Sequence, residues 1–388
     1  LQGQKNTYDG VASTQITSEE LGIAGIHTGN YQKVQSNYYD WRMMSAFLRT
    51  NYNFRYKYYL TFSFRADGSS KFPSDNRWGY FPSAGLSWNF NRENLLKKSE
   101  WMSNGKLRLS WGLTGNNRTQ TPYDFYSQIT VNPGSGNSLD YVFGGERVPG
   151  YYVSNMANER LKWETTEQWN AGLDLGFFED RIKVTADWYD KVTRDLLLYA
   201  LLPASSGFEQ GMLNIGKIRN RGFELSGSWS DTIGDDFRYT VSGNLTTIDN
   251  EVLTLGKTYY QGDKSVAVSE PGKPIGYFYG YEVEGIYQNK ADIASSPENT
   301  LAAVAPGDLK FRDVTGDGKI TEADRTMIGN PTPDFTYGYS VNLQYKNFDL
   351  GIDFQGVYGN EIFNTSFLSA YAQYNYHTKR LGRWNGEG

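Results

Sequence analysis

The residues best able to do chemistry crowd into one short stretch. Over 313–324 the sequence runs D-V-T-G-D-G-K-I-T-E-A-D, spacing oxygen donors as a calcium loop does. Asp313, Thr315 and Asp317 fall at ligand positions one, three and five. Gly318 sits where the backbone must turn sharply, and Lys319 can offer its carbonyl. Thr321 takes position nine, and Asp324 stands where a bidentate Glu is usual. Ca²⁺ takes about six to eight oxygens, so a weakly held structural calcium is one expectation. The other is a Gly-rich surface turn whose aspartates cap backbone amides. Catalysis has little material. The chain holds two histidines, His27 and His377, and no cysteine, which leaves no His-based triad, thiolate zinc site or cysteine nucleophile. Nucleophile elbow, Walker loop and dinucleotide fingerprint are absent from the sequence. The chain therefore does not read as an enzyme.

Aromatic residues are the second chemical resource. Tyr151, Tyr152, Trp163, Tyr277 and Tyr279 lie in long polar segments, where sugar rings or peptides could stack on them to form a substrate cavity. Loop packing, or contact with a protein partner, explains such residues equally well. Asp67, Gly68, Ser69 and Ser70 read as a tight turn, with Gly68 at positive φ and Asp67 bonding the next amides.

What must position these groups is a two-residue rhythm. In 106–114, Leu107, Leu109, Trp111 and Leu113 alternate with Lys106, Arg108, Ser110 and Gly112. In 166–177, Trp169, Ala171, Leu173, Leu175 and Phe177 alternate with Gln168, Asn170, Gly172, Asp174 and Gly176. Period two places successive side chains on opposite faces of a strand. Strands are expected at 44–54, 58–67, 80–90, 105–115, 167–178, 181–191, 220–230, 237–247, 335–345 and 348–358. They run to about ten residues, where soluble strands average about five or six. Ten residues tilted by about 40° cover roughly the 25 Å apolar height of an outer-membrane barrel wall.

Composition agrees with that wall. Tyr 30, Phe 21, Trp 10 and Gly 42 are high among 388 residues. No stretch approaches the roughly 18 apolar residues of a membrane helix, but a barrel needs apolar residues only at alternate positions. The net charge of −5, without a basic stripe, speaks against a nucleic-acid partner. Short turns (178–180, 230–236, 346–347) alternate with long polar segments (68–79, 116–164, 192–219, 248–334). Up-and-down barrels have this asymmetry. A soluble β-sandwich is the competing fold, but its strands are shorter and its turns more frequent.

The faces differ in chemistry as a barrel requires. Arg65, Arg108, Lys183, Asp187, Glu224 and Asp353 fall opposite the apolar face, toward a lumen. A Lys or Arg facing lipid would cost roughly 2–4 kcal/mol at the bilayer midplane. Aromatics gather near strand ends, among them Tyr56, Tyr58, Trp78, Tyr80, Trp188, Phe237 and Tyr239, as interfacial girdles do.

Five segments in order carry a resemblance: RADGSSKF (65–72), LRLSWGLTGN (107–116), LKWE (161–164), NIGKIRNRGFE (214–224) and GNPTP (329–333). Together they are similar to the SusC/RagA family of TonB-linked outer-membrane transporters, over about 44–363. The resemblance implies an all-β fold, a transmembrane antiparallel up-and-down barrel of 22 strands with an N-terminal plug. It also implies a SusD-like surface lipoprotein as lid, and a TonB complex acting from the periplasm. Residues 1–43 would be an extracellular loop or incoming barrel segment, 44–358 the strands, and 359–388 a loop leading to further strands. The plug and the final strands have no counterpart here, and the chain reads as an internal piece of a longer protein. The function expected is TonB-dependent import of a glycan or oligopeptide across an outer membrane, amid lipid and lipopolysaccharide. The alternative is a soluble, calcium-dependent glycan-binding surface protein.

Overall fold

The computed structural model describes residues 1–15, 20, 26–94, 101–119, 121–131, 141–148, 150–153, 155–208, 210–256, 259–261, 266–364, 378, 382 and 384–386. His377 and most of 359–388 lie outside them. Twelve strands share one sheet: β1 (Gln2–Thr14), β2 (Asn30–Phe54), β3 (Tyr58–Ser69), β4 (Trp78–Asn89), β5 (Met102–Asn116), β6 (Glu164–Phe177), β7 (Ile182–Arg194), β8 (Lys217–Ile233), β9 (Phe237–Thr247), β10 (Asp249–Thr254), β11 (Phe335–Tyr345) and β12 (Phe348–Tyr358). They follow chain order except that β10 pairs with β8 instead of entering the row between β9 and β11. Among the described residues β1 and β12 do not pair, so the sheet is open.

All ten expected strands are present, with ends shifted by a few residues, and two stretches exceed the expectation. β2 starts at Asn30 instead of near residue 44, and β1, absent from the ten expected strands, falls in 1–43, where an extracellular loop or an incoming barrel segment was expected. The two form a hairpin in which Gln2 pairs with Met43. Residues such as Gln2, Lys5, Asn6, Asp9, Ser36 and Asn37 are polar on both faces, so no alternation marks them. Their strand character comes from pairing alone.

Side-chain direction follows from register. On β9, β11 and β12 one face carries the cross-strand rows Phe237–Tyr345–Phe348, Tyr239–Leu343–Leu350 and Val241–Val341–Ile352. At the far end of that face Phe335 pairs with Tyr358, and their rings stack 5.0 Å apart. Aromatics thus close both ends of an aliphatic middle. Phe348 is 78% exposed and Phe354 61%, so nothing described covers this face. The other face carries Arg238–Gln344–Asp349, Ser242–Ser340–Asp353 and Asn244–Gly338–Gln355.

Packing divides the chain into two units. The first comprises Leu1–Ser87, Ser110–Trp169 and Thr193–Ile215; the second Trp88–Leu109, Asn170–Val192 and Gly216–Gly388. In the first, Phe72, Phe81, Phe125, Leu161, Trp163 and Met212 form a buried core where β3, β4 and β5 meet their connecting segments. In the second, the buried residues Val252, Val268, Tyr277, Tyr287 and Ile320 all belong to 248–334.

The long segments are therefore structured, not plain loops. The 248–334 excursion holds a four-stranded sheet (Tyr259–Gln261, Ala267–Ser269, Tyr277–Gly280, Thr326–Gly329) and a ribbon of Val283–Ile286 with Leu309–Phe311. A helix, Lys290–Ser295, is capped where the Asp292 N–H donates to Asn289 Oδ1 at 2.9 Å. Segments this long within a folded protein usually carry structure of their own.

Candidate functional site

The polar face of the second unit is built by parity. Arg108, Asp174 and Asp187 sit on β5, β6 and β7 at positions that alternate with the apolar residues. The Arg108 guanidinium donates from Nε to Asp174 Oδ2 at 2.7 Å and from Nη2 to Oδ1 at 2.9 Å. It also reaches Asp187 through Nη1 (2.9 Å) and Nη2 (3.0 Å). The Thr185 hydroxyl donates to Asp174 Oδ1 at 3.3 Å. Gly172 makes the cluster possible, because a Cβ there would collide with Asp187 Oδ1 and the Arg108 guanidinium. Charge-assisted, bidentate pairing of this kind fixes register as well as adding energy.

Beside this self-satisfied cluster the same face opens into a cavity of about 550 Å³. Its lining combines Lys183 and Thr185 of β7 with Ser226 and Ser228 of β8, Ser242 and Asn244 of β9, Ser340 of β11, and Asp353 and Gln355 of β12. Pairing of Ser228 with Ser242 and of Ser242 with Ser340 places hydroxyls in a row across three strands.

In the first unit a smaller cavity of about 320 Å³ is lined by Arg65, Asn116, Asn117, Phe81 and Trp163, among others. Arg65 donates to Asp67 at 3.0 Å. The tight turn expected at 67–70 is a correction: β3 runs to Ser69, which pairs with Met43. Gly68 has no positive φ. It is small because a Cβ would press on the Trp78 indole at 2.9 Å.

The aromatic candidates separate. Trp163 is 6% exposed, packed against Phe72 (5.2 Å between centroids) and Phe81 (5.6 Å), and its indole N–H donates to the Arg77 carbonyl at 3.0 Å. Tyr277 is buried, and its hydroxyl donates to Glu270 Oε1 at 2.7 Å. Both rings are thus packed within the chain, and Trp163 also lines the 320 Å³ cavity. Tyr279 lies in Tyr277–Gly280 with the Arg325 guanidinium 4.5 Å from its centroid. Tyr151 is exposed and Tyr152 half-buried, on a strand (Tyr151–Val153) paired with Ile129–Val131.

The 313–324 loop is held by its own hydrogen bonds. Asp313 accepts the Gly316 and Gly318 N–H groups, each at 2.7 Å, and Asp317 accepts the Lys319 N–H at 2.9 Å. Asp324 is 0% exposed. It accepts the Thr321 N–H at 2.7 Å, the Val314 and Thr315 N–H groups at 3.0 Å, and the Thr315 and Thr321 hydroxyls. Those bonds, the Thr321 amide first and the Thr315 amide next, hold its carboxyl down at about 2. Among the described residues no group of three or more His, Cys, Asp or Glu side chains converges as metal ligands.

Long antiparallel strands with one apolar and one polar face define a barrel-wall class of protein. The family described as "TonB dependent receptor-like, beta-barrel" matches residues 2–306, and the chain belongs to it. It is 35% identical over 370 residues to TonB-dependent receptor P3 of Formosa agariphila, covering 91% of this chain and 35% of that protein. It is 34% identical over 339 residues to TonB-dependent receptor SusC of Bacteroides thetaiotaomicron, covering 84% and 32%. A solved structure of the RagAB peptide importer in an open-open state aligns with a TM-score of 0.75 at 25% identity, over 92% of this chain and 37% of that one. The chain spans about a third of the length of the curated relatives it matches.

Sequence reasoning placed Arg108 and Asp187 on the right face but not in one cluster, and it missed the role of Gly172 and the serine row. Parity applied to neighbouring strands holds the signal for all of them.

Proposed function

We propose that this chain is part of the wall of an outer-membrane barrel that imports a large nutrient, an oligosaccharide or an oligopeptide. A SusD-like surface lipoprotein would cover its mouth, and a TonB complex would drive release from the periplasmic side. The observation that carries the reading is the uncovered apolar face of β9, β11 and β12. From the Tyr345 row to the Phe335 row is ten residue steps, about 34 Å along the strand and about 26 Å across a membrane at 40° tilt. An apolar patch of this size bathed in water would be an aggregation site, which argues against the soluble glycan-binding alternative. Membership of the TonB-dependent receptor family supports the same reading, and the polar-face carboxylates serve as wall groups rather than as a catalytic pair.

Calcium at 313–324 is proposed in a narrower form than the spacing suggested. Asp324 is fully buried among its backbone amides, whereas Asp313 is half-buried and Asp317 exposed, though each accepts amides too, so an ion would rest on Asp313, Asp317, the Thr315 and Thr321 oxygens and the Lys319 carbonyl. Chelator should then increase protease cutting within 248–334, and unchanged cutting contradicts it.

The import reading is tested in cells carrying the full-length protein. Uptake of nutrient should require the protein, an intact TonB system and the surface lipoprotein. Uptake that persists without TonB overturns it.

A further inference from the structure

We infer that a cavity of about 480 Å³ on the lipid side of the wall seats the phosphorylated sugar headgroup of an outer-leaflet glycolipid. It opens at the end of the strands from which 248–334 departs. The inference rests on the membrane-wall reading and adds a specific lipid contact to it.

Register fixes the level and the side of the cavity. The Phe223 N–H donates to Thr247 Oγ1 at 2.9 Å, Thr247 pairs with Phe335, and Phe335 pairs with Tyr358. Phe223 therefore extends the aromatic row that ends the apolar face. Arg221 lies two residues beyond it on the same face, about 7 Å along the strand and about 5 Å along the membrane normal at about 40° tilt. That is headgroup depth, just outside an aromatic girdle. Parity sets the side, since Trp188 alternates with Asp187 and Phe223 with Glu224, both on the lumen side. A plug inside the barrel does not reach this face.

The sheet forks at this level. After Ile248 the chain turns to pair β10 with β8, Asp249 opposite Arg221, while the Ile248 N–H donates to the carbonyl of Asp334 on the way into β11. The cavity lies in the fork, lined by the rings of Trp188 and Phe223 and by Arg221, Asp249, Asn330 and Asp334.

The two arginines of this part of β8 differ. Arg219 is forked onto Asp190 through both Nε and Nη2. Arg221 gives only Nε, at 2.7 Å, to Asp249, and among the described residues its Nη donors bond nothing. That pair is half-exposed, so it contributes little by itself. The exposed Asp334 carboxylate accepts no hydrogen bond among the described residues.

The chemistry of the lining selects the ligand. A planar guanidinium fork matches a phosphate. Carboxylates only accept, so Asp249 and Asp334 call for hydroxyl donors, which a sugar head supplies and a bare phosphate does not. Trp188 and Phe223 are 45% and 43% exposed, so acyl chains can run from that head down the apolar face. A phosphorylated glycolipid carries all three features.

The test uses the full-length protein, purified in neutral detergent and titrated with lipid, with the bound fraction read by native mass spectrometry. Three probes are compared: a monophosphorylated acyl-disaccharide lipid, the same lipid without its phosphate, and phosphatidylethanolamine. The first should bind, and Arg221→Gln should weaken it about tenfold, the loss of one charge-assisted hydrogen bond. Arg221→Lys should restore most of the affinity. Lys346→Gln removes a cation at the opposite end of the strands and should change nothing. Equal binding of either other lipid overturns the assignment, as does wild-type affinity in Arg221→Gln. Displacement of the lipid by added surface lipoprotein means that a protein covers the fork, and overturns it too. A spin label at Ile352→Cys in native membranes separates the two readings. Hydrocarbon there with no effect of Arg221→Gln sinks only the headgroup site, whereas water there sinks the wall reading with it.

Discussion

Arg108 on β5 and Asp174 on β6 are joined by two parallel hydrogen bonds of 2.7 and 2.9 Å, and the same guanidinium holds Asp187 on β7. One cation thus clasps three neighbouring strands from the polar side.

Removing it leaves two carboxylates facing each other. Arg108→Met should cost about 1–3 kcal/mol, the range for hydrogen bonds to charged groups reduced for partial exposure. The temperature at which the folded band converts to the unfolded one on a gel reads the loss. Adding Asp187→Asn should recover part of it. A shift no larger than that of Lys106→Met would show that the clasp contributes nothing. Gly172→Ala should weaken the clasp to both carboxylates, because its new methyl group meets Asp187 Oδ1 and the Arg108 guanidinium alike.

Trp163 and Tyr151 should behave oppositely. Trp163→Ala opens a hole between Phe72 and Phe81 and should cost about 3–5 kcal/mol, seen as new protease cuts in 116–164. Tyr151→Ala, at an exposed position, should change stability by less than about 0.5 kcal/mol. Equal cutting in the two variants would contradict the packing role.

Asp324 sets an acid limit for its loop. Its folded pKa of about 2 lies below the ordinary 3.8, so the fold favours the ionised form. The associated stability is complete above about pH 4 and is lost as pH falls through 2. Hydrogen exchange at the Val314, Thr315 and Thr321 amides should accelerate across that window, and in Asp324→Asn it should be fast already at neutral pH. Exchange that is flat from pH 5 to pH 2 would contradict the assignment.

A chelator experiment isolates the calcium proposal from that capping network. If Ca²⁺ is held by Asp313 and Asp317, Asp313→Asn should abolish the effect of chelator on proteolysis of 248–334. A chelator effect of equal size in wild type and variant would rule those ligands out.

How much of this was legible depends on whether a residue faces lipid. Phe348, Leu350, Ile352 and Phe354 announce their strand because one face must be apolar and the other need not be. The polar-side position of Arg108, Asp187 and Asp353 follows from the same parity. Gln2–Thr14 stayed hidden because both of its faces are polar. Gly68 was misread because D-G-S-S looks like a turn, whereas the glycine answers to the Trp78 ring across space. For Trp163 and Tyr277 substrate stacking and loop packing stayed equally open, because sequence gives no sign that those segments fold into small cores. The Arg108 clasp depends on alignment among three strands, and alternation within one strand does not report it.

The most direct test of the membrane-wall reading compares adjacent residues of β12, Ile352 and Asp353. Spin labels at Ile352→Cys and Asp353→Cys of the full-length protein in native membranes should differ sharply. Ile352 should favour collisions with oxygen over a polar nickel complex, as in hydrocarbon, and Asp353 should show the reverse. If both labels report water, or both report packed protein, β12 does not face lipid and the account fails.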